Sequence, residues 1–188
     1  MILFVFVLAG ILIGFAVNWR RGRKNSLGSV SRLHGLWLPI AGLLLDGSFS
    51  YLPAFALRYA GIITCTSYLC IFGFLFLNRE KKFPVILMAL GSLSNFVVIA
   101  SNGFRMPVSP AALAVYPGMT AQAVYAKRVN YFIAQNGANL YFLGDIIPAP
   151  LHGLGGFLSI GDLVLGLGLL LFIVWVLTWE QKENSAAA

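Results

Sequence analysis

Residues Ser159–Trp179 read SIGDLVLGLGLLLFIVWVLTW, a run in which Asp162 is the single charged residue. A helix of about 20 apolar residues crosses the hydrocarbon core of a bilayer. The stretch therefore predicts a membrane span with an aspartate one turn inside it. Outward from it, Phe83–Ala100, Tyr59–Leu77 and Met1–Trp19 have the same character. Gly35–Leu57 is a weaker fifth span, interrupted by Asp46 and Pro53. Composition agrees: 59% of the 188 residues are hydrophobic and 10% charged, where soluble proteins carry about a quarter charged residues. Together with a mean hydropathy of +0.85, this excludes an ordinary cytosolic enzyme, a disordered tail and a disulfide-stapled secreted module.

The charges orient the bundle. Met1–Trp19 is followed, not preceded, by positive residues and shows no small-residue cleavage site, so it reads as a retained span and not a signal peptide. Arg20, Arg21, Arg23, Lys24, Arg32, Arg79, Lys81, Lys82 and Lys182 fall on one side, and Arg58, Arg105, Lys127 and Arg128 on the other. The excess of Lys and Arg marks the cytoplasmic side. The net charge of +7 is thus read as topology, with no nucleic-acid partner. The expectation is an all-α integral membrane bundle of about five helices, N-out and C-in, in a bacterial plasma membrane. Residues 1–183 form one transmembrane domain, with spans at about 1–19, 35–57, 59–77, 83–100 and 159–179 and a partly helical outer loop over 101–158. Residues 184–188 read as an appended tail.

Within the loop, Ser109-Pro110 followed by Ala111-Ala112-Leu113-Ala114 is an N-cap and N1-proline helix start. Thr120–Gln135 spaces Ala121, Val124, Tyr125, Phe132 and Ile133 as an amphipathic helix with Lys127 and Arg128 on its polar side. Such a helix suits the interface plane or a packed connector between spans, and both readings stay open. The glycines and prolines from Gly137 to Gly156 predict irregular backbone.

Six acids serve the whole chain. Glu80, Glu180 and Glu183 lie in cytoplasmic polar segments, whereas Asp46, Asp145 and Asp162 lie in or at the rim of the apolar region. Ionisable groups there are costly and mark functional sites by default. The connection between Asp145 and Asp162 is long enough to fold back and bring both carboxyls to one depth near the outer face. Two carboxylates sharing a site hold one proton between them, the arrangement that activates water against a peptide bond. The alternative is structural: Asp162 caps the last helix and Asp145 pairs with Arg105, Lys127 or Arg128. Cys65 and Cys70, five residues apart in one span, read as buried free thiols. His34 and His152 are isolated, so no metal is expected, although His152 lies near the outer site. Gly166-Leu167-Gly168 reads as a close helix contact and not as a nucleotide loop.

Two resemblances attach to these residues. Arg21-Gly22-Arg23 with Leu33, Asn102-Gly103-Phe104-Arg105-Met106-Pro107-Val108, Leu143-Gly144-Asp145-Ile146-Ile147-Pro148 and Ser159-Ile160-Gly161-Asp162 resemble an uncharacterised family of bacterial multi-pass proteins, a domain of unknown function in Firmicutes and Actinobacteria. From the second span onward the chain is also similar to lipoprotein signal peptidase (signal peptidase II). In that resemblance Asp145 and Asp162 stand for the catalytic aspartates, Gly91-Ser92-Leu93-Ser94-Asn95 with Gly103 for the supporting glycine/asparagine helix, and Asp46 for the first-helix aspartate. Ser50 stands where that family has a lysine, and Ser101–Asn139 is an insertion relative to it. The expected function is an intramembrane aspartyl peptidase or hydrolase near the outer leaflet. Asp145 and Asp162 are its catalytic pair, with Asp46, Asn95, Asn102, Arg105 and His152 supporting or positioning substrate. No cofactor is expected; membrane lipids and a membrane-anchored peptide or protein are the expected partners. The competing expectation is a non-catalytic protein that binds a lipid or small molecule, or a subunit or scaffold of a membrane assembly.

Overall fold

The computed structural model describes residues 2–22, 30, 33–135, 137–150 and 156–179. His152, Arg23, Lys24, Arg32, Glu180, Lys182, Glu183 and the tail at 184–188 lie outside them. The long helices are α1 (Ile2–Arg20), α4 (Ala60–Leu77), α5 (Lys82–Ser101) and α8 (Ile160–Trp179), and each is long and apolar enough to cross a membrane. Between α1 and α4 lie α2 (Trp37–Tyr51) and α3 (Pro53–Arg58). The span expected over 35–57 is therefore two helices. Pro53 disfavours helical backbone in the residue before it; Leu52 accordingly leaves the helix at φ −130°, ψ 59°, and Pro53 opens α3. The 15 residues of α2 extend about 22 Å, short of the roughly 30 Å hydrocarbon core.

The helices pack in the order α1, α8, α5, α4, α2. Apolar side chains gain little by leaving lipid for protein, so helices in a bilayer associate through small residues that let backbones close in. Glycines do this here. A Cβ on Gly91 of α5 would collide with the Leu165 nitrogen and the Gly161 carbonyl oxygen of α8, and one on Gly168 would sit 2.7 Å from the Met88 nitrogen. On the other flank of α8, Gly166 receives the Phe6 ring of α1, while Gly10 and Gly14 of α1 lie against Ile173 and Leu177. The Gly166-Leu167-Gly168 run thus serves two helix contacts at once. Buried amide and hydroxyl groups stitch the same bundle: Asn18 Nδ2 donates to the Leu177 carbonyl at 2.9 Å, and Ser67 Oγ to that of Gly42 at 2.8 Å.

These pairings run α1 parallel and α5 antiparallel to α8, so Arg20, Arg21, Arg79 and Lys81 gather at one end. Phe74, Leu75, Val85, Met88, Phe172 and Val176 form the apolar core behind them. The described residues between 102 and 159 lie at the opposite end, the loop end, where Phe49, Ala56 and Ile63 make a second core.

The loop has a core of its own. It contains β1 (Met106–Val108), α6 (Pro110–Ala114), α7 (Ala121–Lys127), β2 (Tyr131–Ile133), a 3-10 turn (Tyr141–Leu143), β3 (Ile147–Ala149) and β4 (Gly156–Leu158). The caps of α6 and α7 form as expected, with Ser109 Oγ accepting from the Ala112 nitrogen and Thr120 Oγ1 from that of Ala123. The helix expected over 120–135, however, stops at Lys127. Val129, Tyr131, Phe132 and Ile133 are β-branched or aromatic and suit a strand. Residues 131–133 pair in parallel with β1, Met106 opposite Tyr131 and Val108 opposite Ile133. Val108, Val124 and Ile133 are buried together beneath this unit. β3 and β4 pair antiparallel, clipped by the Tyr116 hydroxyl, which accepts from the Ala149 nitrogen and donates to the Gly156 carbonyl.

Replacing Gly91 by Leu forces α5 away from α8 and is expected to cost about 1–3 kcal/mol of stability, read as a lower melting temperature in detergent. Gly47→Ala, whose new methyl meets only the Tyr51 ring at 3.9 Å, is expected to leave the melting temperature unchanged or raised.

Candidate functional site

Asp162 is held by the start of its own helix. Ser159 Oγ accepts from the Asp162 nitrogen at 2.9 Å, and Asp162 Oδ2 accepts from the Ser159 nitrogen at 3.2 Å. This reciprocal pair satisfies two of the free N–H groups at the helix terminus. Asn95 of α5 completes the set: its Nδ2 donates to Asp162 Oδ1 at 2.7 Å, and its Oδ1 accepts from Ser159 Oγ at 2.8 Å. Gly161 makes room for this, since a Cβ there would overlap the Asn95 amide. Asp162 is therefore the helix cap that the structural alternative expected, with a side-chain amide from the neighbouring helix added.

Asp145 is placed by backbone. Its nitrogen donates to the Pro107 carbonyl at 2.9 Å, and its carbonyl accepts from the Ser109 nitrogen at 3.1 Å, which makes it a third pairing segment beside β1. Gly144 permits the approach, because a Cβ there would lie 2.7 Å from the Pro107 carbonyl oxygen. The residue is 2% exposed, and its Oδ1 has no hydrogen-bond partner. Burial pushes the Asp145 carboxyl up to about 8, the Asp162 charge adds to the rise, and the Arg128 charge and a Tyr131 hydrogen bond oppose it.

No ion pair to Asp145 forms among the described residues. Arg128 is drawn elsewhere: Nη2 meets Asp46 Oδ1 at 2.8 Å and Oδ2 at 2.7 Å. Arg128, expected on the polar side of a helix running to Gln135, is instead the C-cap of α7 and turns toward the one carboxylate in α2. Arg105 donates to the Tyr131 carbonyl at 2.7 Å, with its guanidinium 5.6 Å from the Phe132 ring centre. Asn102 closes α5 and ties the loop to it, donating to the Val98 and Asn139 carbonyls and accepting from the Asn139 nitrogen.

Tyr131 shows how tightly the charges converge. Burial holds its phenol above its ordinary range, and Asp145, Arg128, Asp162 and Asp46 all act on it through space. Asp46, Asp145 and Asp162 thus all act through space on Tyr131, while Arg128 binds Asp46 and Asn95 and Ser159 bond Asp162. Ser159 was legible as the first residue of a Ser-x-x-Asp box. Tyr131 and Arg128 carry no local signal.

Among the described residues, no group of three His, Cys, Asp or Glu side chains is placed to hold a metal. Cys65 and Cys70 are free thiols. An open groove of about 560 Å³ lies at the opposite end of the bundle, against His34, Leu77, Arg79 and Glu80. It contains none of the aspartates.

A buried acid whose folded-state affinity for a proton exceeds its unfolded-state affinity weakens the fold as pH rises. The unfolded carboxyl titrates near 3.9 and the folded one at about 8. Melting temperature in detergent is therefore expected to fall across that window in the native chain. Asp145→Asn, which has no proton to lose, is expected to show a shallower fall and to melt at least about 2 °C higher at pH 8.5.

Residues 31–174 match a family of unknown function (DUF5317). No curated protein and no solved structure matches the chain.

Proposed function

We propose, for a chain that belongs to the DUF5317 family, an intramembrane aspartyl hydrolase that cleaves a membrane-anchored peptide near the outer leaflet of a bacterial plasma membrane. The observation that carries this reading is the contrast between its two carboxyls. Asp145 is sealed from solvent with a free Oδ1 and binds its proton up to about pH 8. Asp162 is half-buried, and both its oxygens accept hydrogen bonds. A sealed, protonated carboxyl suits the acid and a more open, hydrogen-bonded one the base. In the proposed step Asp162 takes a proton from water while the water oxygen attacks the scissile carbonyl carbon. Asp145 then gives its proton to the amide nitrogen as the C–N bond breaks. Asn95 holds Asp162 in place, and Arg105 and Asn102 fix the loop that carries Asp145. The gathering of Arg20, Arg21, Arg79 and Lys81 at the opposite end supports an outward-facing loop end. The resemblance to signal peptidase II adds to the same reading.

A second reading rests on the Asp162 cap. Both of its oxygens are already engaged by Ser159 and Asn95, which suits a purely structural carboxylate in a protein that binds a lipid or small molecule, or that serves as a subunit of a membrane assembly.

The two readings separate in cells carrying Asp145→Asn or Asp162→Asn at normal abundance in the membrane. Under the hydrolase reading each substitution lowers cleavage by about 100-fold or more, and an uncleaved membrane-anchored precursor accumulates in the membrane protein profile. Unchanged membrane and secreted profiles with both folded variants would leave the second reading standing. Cleavage by the native chain is further expected to fall as pH rises through about 8, where Asp145 loses the proton it must donate.

A further inference from the structure

Arg128 stands where the loop meets the helices. Its Nη2 reaches both Asp46 oxygens, and its guanidinium carbon lies 5.3 Å from the Tyr131 ring centre. The next residue, Val129, packs against the Phe49, Ala56 and Ile63 core. A two-residue strap therefore docks the loop on α2, α3 and α4 through one ion pair and one apolar contact. Two residues further on, Tyr131 opens β2, which pairs with one edge of β1 while the Asp145 backbone bonds the other. The Arg128 and Asp46 side chains keep 30% and 45% of their surface exposed, whereas Asp145 is sealed. The cation is thus partly exposed and tied to a different acid, while its charge still acts on the enclosed carboxyl.

We propose that Arg128 is a positioning residue, tethered to Asp46 so that its guanidinium stays off the neighbouring Asp145 carboxyl. This deepens the hydrolase reading and rests on it for its purpose: a general acid must keep its proton, and an ion pair to Arg would take that proton away. The groups acting on Asp145 are Asp162 from α8, Tyr131 from β2 and Arg128 from the end of α7; Tyr68 of α4 lies within the field of all three aspartates. Among them Arg128 is the cation. With Asp46 neutral, the guanidinium has one unpaired carboxyl left within its field and moves toward it. With Arg128 gone, the one cation among these groups is lost. The two losses therefore move Asp145 in opposite directions, which a strap serving only to fasten the loop would not produce.

The test is an infrared titration of the purified full chain in detergent. It follows the protonated-carboxyl band that disappears in Asp145→Asn. Asp46→Asn is expected to shift its midpoint down by about one pH unit or more, and Arg128→Gln to shift it up. Arg128→Lys, which keeps the charge, is expected to return it toward the native value. The double variant Asp46→Asn/Arg128→Gln leaves no unpaired ion to strain the fold and is expected to titrate above the native chain. Shifts of the two single variants in the same direction, no shift in either, or a double variant at or below the native midpoint would overturn the proposal. The band reports the carboxyl directly. A protein that titrates as expected but cleaves no peptide would therefore refute the hydrolase reading alone.

Discussion

Asn95 of α5 donates to Asp162 of α8 at 2.7 Å, and the close approach of these two helices is the constraint on which the rest of the molecule depends. Polar groups inside an apolar medium must satisfy one another, since no water is there to do so. The contact is possible because Gly91, Gly161 and Gly168 remove the side chains that would hold the backbones apart. It fixes where α8 begins, and so where the chain must return after its long excursion between α5 and α8. With α8 wedged between α1 and α5, the bundle order and the shared basic end follow.

The excursion is organised by the same need. Backbone groups at the membrane rim need partners, and the described residues of the loop supply their own: β1 with β2, Asp145 beside β1, and β3 with β4. Asn102 and Asn139 close its base through reciprocal amide bonds. Asp145 is buried as a consequence of this pairing, since its backbone is what β1 binds. The side chain is carried inside with it, within the field of the Asp162 charge. Burial of a carboxyl is costly when it is ionised, and Asp145 meets that cost by holding its proton.

Several features were legible along the chain because they depend on neighbours in sequence. The apolar runs, the caps at Ser109 and Thr120, the break that Pro53 imposes and the Ser159–Asp162 box all act over four residues or fewer. The glycine pair at 166 and 168 announced a close contact, though not which helix would fill each side. Residues 131–133 form a strand although Val124, Tyr125, Phe132 and Ile133 fit helical spacing, because β1, 25 residues earlier in register, supplies the competing partner. The choice of Asp46 by Arg128 was equally hidden. The two are 82 residues apart, and nothing near either one favours the other over Asp145.

By itself, then, the sequence determined a membrane-embedded all-α bundle, the helix starts, and a short list of three aspartates whose setting is apolar. Those properties follow from hydrophobicity and from capping, which are local. Tertiary structure alone decided how the aspartates divide: Asp162 bonded into a helix cap, Asp46 bound to Arg128, and Asp145 sealed with no ion pair among the described residues. The reason is electrostatic. An acid's charge state and partner are set by what lies within a few ångströms in a low-dielectric interior, and those neighbours are assembled only when α2, α5, α8 and the loop meet.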